Sequence, residues 1–331
     1  MPTAFYPPPL QRGDTIGVIA TSSPLPTNYD SIIQRGYDYL RNKGFTVIEH
    51  EQCRKSKNGY LAGSIEDRVH AIHEFLKNPS VKCIMSFWGG ANTNQILDNL
   101  DYSLVVQHPK IFIGYSDTTA LLQAITTKTG LVTYLGPAVI SFAKNPSFNY
   151  TWQFFEKMCI SPAKETLYVP SQEYSSETYL MSNDGKNRKV ENNEGLQIFR
   201  DGQAKGRIVA GHLQTLLELY GTEYFPDLEN AILFLEEAED FQVPMIHRFF
   251  TQAKQIGVFN KIAGLVLGRF PIASQVDKLQ LYDILDEILY ERSIPVIYNT
   301  DFGHTDPLIT IPNGGMCELD TKKALLKFVL E

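Results

Sequence analysis

The sequence predicts an α/β fold in two domains, the first built on a parallel sheet with helices on its faces. Three observations carry this expectation. Short apolar runs alternate with stretches of helical spacing through the first third of the chain, the rhythm of strand–helix–strand units. At 331 residues the chain is about twice the length of a typical domain of roughly 150 residues. The apolar runs end in Gly, Ser, Thr and Asn, residues that turn the chain out of a strand.

Taken in order, Ile16 to Ala20 is a strand closed by Thr21-Ser-Ser-Pro24. Tyr29 to Arg41 carries Ile32, Ile33, Tyr37 and Leu40 on one helical face and stops at Gly44. Phe45 to Ile48 is the second strand. Ser64 with Asp67 three residues on is a capping box, followed by Val69, Ile72 and Leu76 on one face. Val81 to Phe87 is a strand ending in Trp88-Gly-Gly90, and a short helix follows, capped by Asn92 or Thr93. Lys110 to Gly114 is a further strand and Thr118 to Ile125 a helix. From about residue 143 to 205 the rhythm fades into polar, turn-rich sequence such as Ser171 to Ser176 and Ser182 to Lys189, read as a linker and a mobile loop able to act as a lid. Regular structure resumes with a helix from His212 to Tyr220, strands at Ala231–Leu235, Ile262–Leu267 and Pro295–Tyr298, and helices at Met245–Ile256 and Leu279–Leu289. The expected division is residues 1–165, 166–205 and 206–331 for the first domain, the linker with its loop, and a smaller second domain.

Composition narrows the function. Thirty Lys and Arg against 37 Asp and Glu give a net charge of −7, which argues against a nucleic-acid binder with its basic face. No apolar run approaches the roughly 18 residues that span a bilayer, and the start lacks the basic segment of a signal peptide. The four cysteines, Cys53, Cys83, Cys159 and Cys317, form no CxxC, so neither a zinc site nor a disulfide framework is expected; reduced thiols fit the cytoplasm. No GxGxxG follows the first strand, so a dinucleotide-binding oxidoreductase is a weaker reading that lacks its key turn.

Between the strand ending at Gly114 and the helix from Thr118 stands Tyr115-Ser116-Asp117. A serine on such a turn has the setting of a nucleophile elbow, with Gly114 two residues before it, although Thr118 replaces the usual second glycine. Ser116 and Asp117 fit equally well as caps of the following helix. Trp88-Gly89-Gly90 can present backbone N–H groups to an oxyanion, or be a simple turn. A serine needs a base, usually a histidine held by a carboxylate. Of seven histidines, His50 ends a strand, His108 lies in a polar loop, His70 and His73 share a helix face, and His212 and His247 begin or lie within helices. His304 stands in the turn-rich loop after the strand at Pro295–Tyr298, where α/β proteins place their chemistry. Glu236 and Glu237 end the strand at Ala231–Leu235, an equivalent place.

Motifs in the right order along nearly the whole chain resemble the LD-carboxypeptidases, serine peptidases that include murein tetrapeptide LD-carboxypeptidases and microcin C immunity proteins. They are GDTIGVIATSSP, GYLAGSIEDR at 59–68, WGGANTNQILDNLDY at 88–102, IGYSDTTALL at 113–122, GTEYFPDLENAILFLEEAED at 221–240, HRFFTQAKQIGVFNKIAGLVLGRF at 247–270 and GHTDPLITIPNGG at 303–315. The resemblance implies a flavodoxin-like first domain, a second domain around its own sheet, a homodimer, and no metal or cofactor. It implies Ser116 as nucleophile, His304 as general base, Glu236 rather than Glu237 as its orienter, and an oxyanion hole from the N–H groups of Gly89, Gly90 and Asp117. The Gly-Gly-Ala-Asn-Thr-Asn-Gln stretch and the length of the middle loop look more like the immunity branch, whose members cleave a peptide's terminal residue from a nucleotide-like group and use a loop aromatic to stack on the base. Tyr174 or Leu196 stands where a Trp is expected, and Ala210-Gly-His212 replaces the more usual Gly-Gly followed by a small or amide residue. The expected substrate is thus a small peptide or peptidyl-nucleotide, bound in part by Tyr174. Release of D-Ala from a murein tetrapeptide is the alternative within the family, and a non-catalytic nucleotide- or anion-binding module the alternative outside it. If His304 is the base, the rate rises with pH through a histidine-like titration.

Overall fold

The computed structural model describes residues 2–144, 148–177, 188–238, 242–290 and 292–330. The alternating apolar runs of the first third form strands β1 (Thr15–Ile19), β2 (Thr46–Glu49), β3 (Val81–Ser86), β4 (Ile111–Gly114) and β5 (Thr133–Leu135). They lie in the order β2-β1-β3-β4-β5, all parallel, the flavodoxin-like order. Such strands are buried on both faces; β1 and β4 are buried throughout and, Thr15 and the glycines apart, made of apolar side chains. The helix Ile65–Lys77 begins with the expected box, Ser64 accepting from the Asp67 N–H and Asp67 from the Ser64 N–H.

The second sheet takes strands from an unexpected stretch. Its members are β6 (Glu165–Leu167), β9 (Gln197–Arg200), β10 (Gln203–His212), β11 (Ile232–Glu236), β12 (Gly264–Gly268), β13 (Val296–Thr300), β15 (Met316–Asp320) and β16 (Leu325–Val329), while β7 (Glu173–Tyr174) and β8 (Glu191–Asn192) pair separately. Among the described residues the order is β6-β16-β15-β10-β11-β12-β13-β9, with β10 to β13 parallel. Both edges, β6 and β9, come from the segment read as linker, so the second sheet is the wider one. Their alternation is weak because each edge strand packs on one neighbour only, leaving Leu167 and Ile198 exposed. Residues 178–187 of the expected mobile loop lie outside the described residues. The helix Asn149–Cys159, with Trp152, Phe154, Phe155 and Met158 buried, was likewise not anticipated. A last strand, β14 (Ile311–Asn313), returns to the first sheet and pairs antiparallel with β5.

Period two in the second sheet decides what faces the first domain. Ile208, Ala210, Ile232 and Phe234 join the core that holds the first sheet, whereas Val209, Leu233 and Leu235 point into a separate core under the helices of the second domain. Continuing the alternation by one step carries Glu236 and His212, register partners at the strand ends, to the side of the first domain. Among the described residues no helix is long and apolar enough to cross a membrane.

Candidate active site

The turn after β4 forces Ser116 into a left-handed conformation, φ = 60°, which a non-glycine residue adopts at a cost and which recurs at functional sites. Neither Ser116 nor Asp117 caps the helix Thr119–Thr129, which has no side-chain cap. The capping alternative is thus gone, and Ser116 stands free of that duty. Gly89 faces it so closely that an added Cβ would lie 2.8 Å from Ser116 Oγ and 3.2 Å from the Asp117 nitrogen. Gly90, at φ = 149°, turns the loop between Gly89 and Ala91.

From the second domain, the β11 end places Glu236 so that its Oε2 lies 2.6 Å from His304 Nδ1. Glu236 is buried and His304 retains a little exposure, its side chain 13% accessible. Burial alone would push the Glu236 carboxyl up, but His304, the hydrogen bond to it and the charge of His212 hold it below its ordinary value. Nδ1 is thereby committed to the carboxylate, which directs Nε2 elsewhere. Tyr115 stands edge-on to the His304 ring, centroids 5.2 Å apart. The His304 loop is braced at both ends. Asp301 accepts from Arg269 and from the Ser171 and Tyr168 hydroxyls, and Asp306 pairs with Lys144 and Arg188. Most of these braces come from the stretch read as linker.

A cleft of about 520 Å³ between the domains is lined by Gly89, Gly90, Ser116 and His304, together with Trp88, Tyr115 and His212. It unites the serine, the glycines and the imidazole singled out from sequence. Tyr174 lies elsewhere: it lines a separate cavity of about 480 Å³ with Phe270 and Tyr298, its ring 4.3 Å from the Arg269 guanidinium carbon.

His212 was missed. It is both the last residue of β10 and the N-cap of the helix Leu213–Glu218, and the alternation Ile208, Ala210, His212 would have pointed it into the cleft. Its Nε2 abuts Glu237 Oε1, its Nδ1 is 2.9 Å from the Thr215 hydroxyl, and its ring centroid is 5.5 Å from that of His304. Burial pulls its titration down, yet Glu237, Glu236 and Asp117 together raise it to about 9. Two acid–imidazole pairs therefore stand side by side. Among the described residues, no group of three His, Cys, Asp or Glu side chains is placed to hold a metal ion.

Comparison with known proteins agrees with this layout. Residues 16–136 match the LD-carboxypeptidase N-terminal domain and residues 205–319 the LD-carboxypeptidase C-terminal domain. The putative carboxypeptidase YocD of Bacillus subtilis is 37% identical over 96% of both chains. The Microcin C7 self-immunity protein MccF of Escherichia coli is 34% identical over 94% of this chain and 92% of its own. The structure of MccF in complex with glutamyl sulfamoyl guanosine superposes with a TM-score of 0.92 at 33% identity, covering 98% of each chain. A muramoyltetrapeptide carboxypeptidase from Oxalobacter formigenes superposes with a TM-score of 0.74 at 26% identity, covering 95% of this chain and 97% of its own. With both domains matched and their strand ends meeting at one cleft, the chain belongs to the LD-carboxypeptidase family.

Proposed function

We propose that the protein is a serine peptidase in which Ser116, His304 and Glu236 act as nucleophile, general base and orienter on an amide at the carboxyl end of a small peptide conjugate. The observation that carries the reading is the 2.6 Å bond from His304 Nδ1 to buried Glu236, in a cleft shared with a serine held at φ = 60°. His304 takes the Ser116 proton as Oγ attacks the carbonyl, and Glu236 stabilises the imidazolium that forms. The N–H groups of Gly89, Gly90 and Asp117 receive the negative charge on the carbonyl oxygen. Collapse breaks the C–N bond as His304 returns the proton to the leaving amine, and water then releases the acyl group by the same steps in reverse.

Within the family we place the substrate among peptidyl- or aminoacyl-nucleotide conjugates. The superposition on MccF bound to a glutamyl sulfamoyl nucleoside is closer than that on a muramoyltetrapeptide carboxypeptidase, TM-scores 0.92 and 0.74. Mass spectrometry of products after parallel incubation with a peptidyl sulfamoyl-adenylate and a murein tetrapeptide ending in D-Ala tests the assignment. Release of the nucleotide-bearing fragment supports it; release of D-Ala alone moves the protein to cell-wall turnover. Ser116→Ala abolishes both, and wild-type rates in that variant remove Ser116 from the mechanism.

A further inference from the structure

We infer that the side chain of Asp117 is a positioning residue for the oxyanion hole, a role separate from that of its backbone N–H; this rests on the serine-peptidase reading above. The short 3₁₀ helix Thr93–Asn99 has no cap from its own Asn92. Its cap reaches across from the other strand end. Asp117 Oδ2 accepts from the Asn92 N–H and the Thr93 N–H at 2.9 Å each, and from the Thr93 hydroxyl at 2.7 Å.

The same few residues are gripped from three further directions. Ser22 Oγ accepts from the Ala91 N–H at 3.0 Å and the Asn92 N–H at 2.9 Å. Arg68, almost wholly buried, donates to the Asn92 carbonyl at 3.1 Å and to the Thr21 carbonyl at 3.1 Å. The Thr21 and Thr93 hydroxyl oxygens lie 2.9 Å apart; with the Thr93 proton given to Asp117, Thr93 accepts from Thr21. Every amide from Ala91 to Thr93 is thus bound to a buried side chain, and the segment they anchor is the one immediately after Gly89 and Gly90.

An anionic carboxylate one residue from the nucleophile is a poor neighbour for a developing oxyanion, since like charges raise each other's energy in a site of low dielectric. Asp117 is 3% exposed, so solvent does little to mask it. What makes it tolerable is that its oxygen is saturated by three donors, with the buried Arg68 guanidinium close enough to feel its charge. What it supplies is rigidity. Charge-assisted hydrogen bonds to two consecutive amides fix the direction of the loop, and a hole works only if its donors are in place before charge develops. Asp117 thus couples the nucleophile turn after β4 to the glycine loop after β3, so that Oγ and the donors keep one spacing.

The test compares Asp117→Ala, Asp117→Asn, Ser22→Ala and Ser116→Ala in the full chain, using the conjugate or tetrapeptide that wild type cleaves and a peptidyl boronic acid as tetrahedral mimic. All keep the Asp117 N–H. Asp117→Ala is expected to lower kcat by about 10²–10³-fold, the loss seen when a hole donor is removed, with KM changed less than about threefold. Affinity for the boronate falls in step with kcat/KM, whereas affinity for the cleaved product does not. Asp117→Asn, which retains an oxygen acceptor, recovers most of the rate, and Ser22→Ala gives a smaller loss of about tenfold. Should Asp117→Ala not fold, Asp117→Asn and Ser22→Ala carry the test through the same boronate-against-product contrast. The inference is overturned if Asp117→Ala keeps kcat within about threefold of wild type, or if boronate and product affinities fall together. An active Ser116→Ala would instead sink the serine-peptidase reading itself, so the two failures are told apart.

Discussion

Replacing Gly89 by alanine is the sharpest single perturbation of the cleft. The new Cβ would lie 2.8 Å from Ser116 Oγ, 2.9 Å from Ser116 Cβ and 3.2 Å from the Asp117 nitrogen. A different Ser116 rotamer relieves only the first contact, because the other two involve atoms fixed by the backbone. Carbon atoms rest at about 3.5 Å or more, so loop and turn must part by about 0.6 Å. A displacement near 1 Å at reacting groups costs about 10²-fold, and disturbance of one hole donor costs 10²–10³-fold. We therefore expect kcat/KM to fall about 10²–10³-fold while the melting temperature shifts by only a few degrees, about 1 kcal/mol of stability. The assay is steady-state hydrolysis of the cleaved substrate together with the rate of Ser116 labelling by a fluorophosphonate. Gly264→Ala is the matched control, since its Cβ would meet nothing closer than 3.5 Å. Wild-type kcat/KM in Gly89→Ala would refute the argument that Gly89 borders the reacting atoms.

Three further outcomes follow from the same geometry. Glu236→Gln keeps the shape but not the charge beside His304, and kcat should fall about 10³–10⁴-fold with the fold retained by circular dichroism; a loss under tenfold would deny Glu236 the orienting role. His212, raised to about 9 from an ordinary 6.5, contributes stability that is fully present below about pH 6.5 and lost as pH rises through about 9. Urea midpoints should accordingly decline across that window in wild type and less so in His212→Asn, and parallel curves would remove the ion pair as the cause. Tyr174→Ala should raise KM for a nucleotide conjugate several-fold and leave a murein tetrapeptide untouched if that ring meets the base; equal KM values for the conjugate would confine Tyr174 to packing on Arg269.

The strand ends were legible because apolar runs closed by small residues mark both the end of a strand and the place where α/β proteins bind ligands. That is why Ser116, Glu236, His304 and the Gly89-Gly90 pair, chosen from separate segments, converge at two domains' facing edges. What was hidden depended on partners distant in sequence. Nothing near Asn92 indicates that its helix is capped by Asp117, 25 residues away. His212 was masked by the helix Leu213–Glu218 that starts directly after it, and only the strand's period of two distinguishes its place. The edge strands β6 and β9 look like linker because their stability comes from pairing with β16 and β13 and not from a buried apolar face of their own. Tyr174 carried an aromatic signal but no signal of direction, and the structure turns it toward Arg269.

The return of β14 to the first sheet bears on how the protein is made. Asn313 accepts from Gln123 and from the Ala210 N–H, and donates to the Thr126 and Thr133 hydroxyls, stitching three elements with one side chain near the end of the chain. On a ribosome, the first sheet is synthesised long before the strand that closes its edge. Until residues 311–313 emerge, β5 presents an open row of backbone groups to any neighbouring chain. A polypeptide truncated before that point would expose an adhesive margin along with an incomplete inter-domain cleft, and quality control would meet it as a nascent chain in need of shielding.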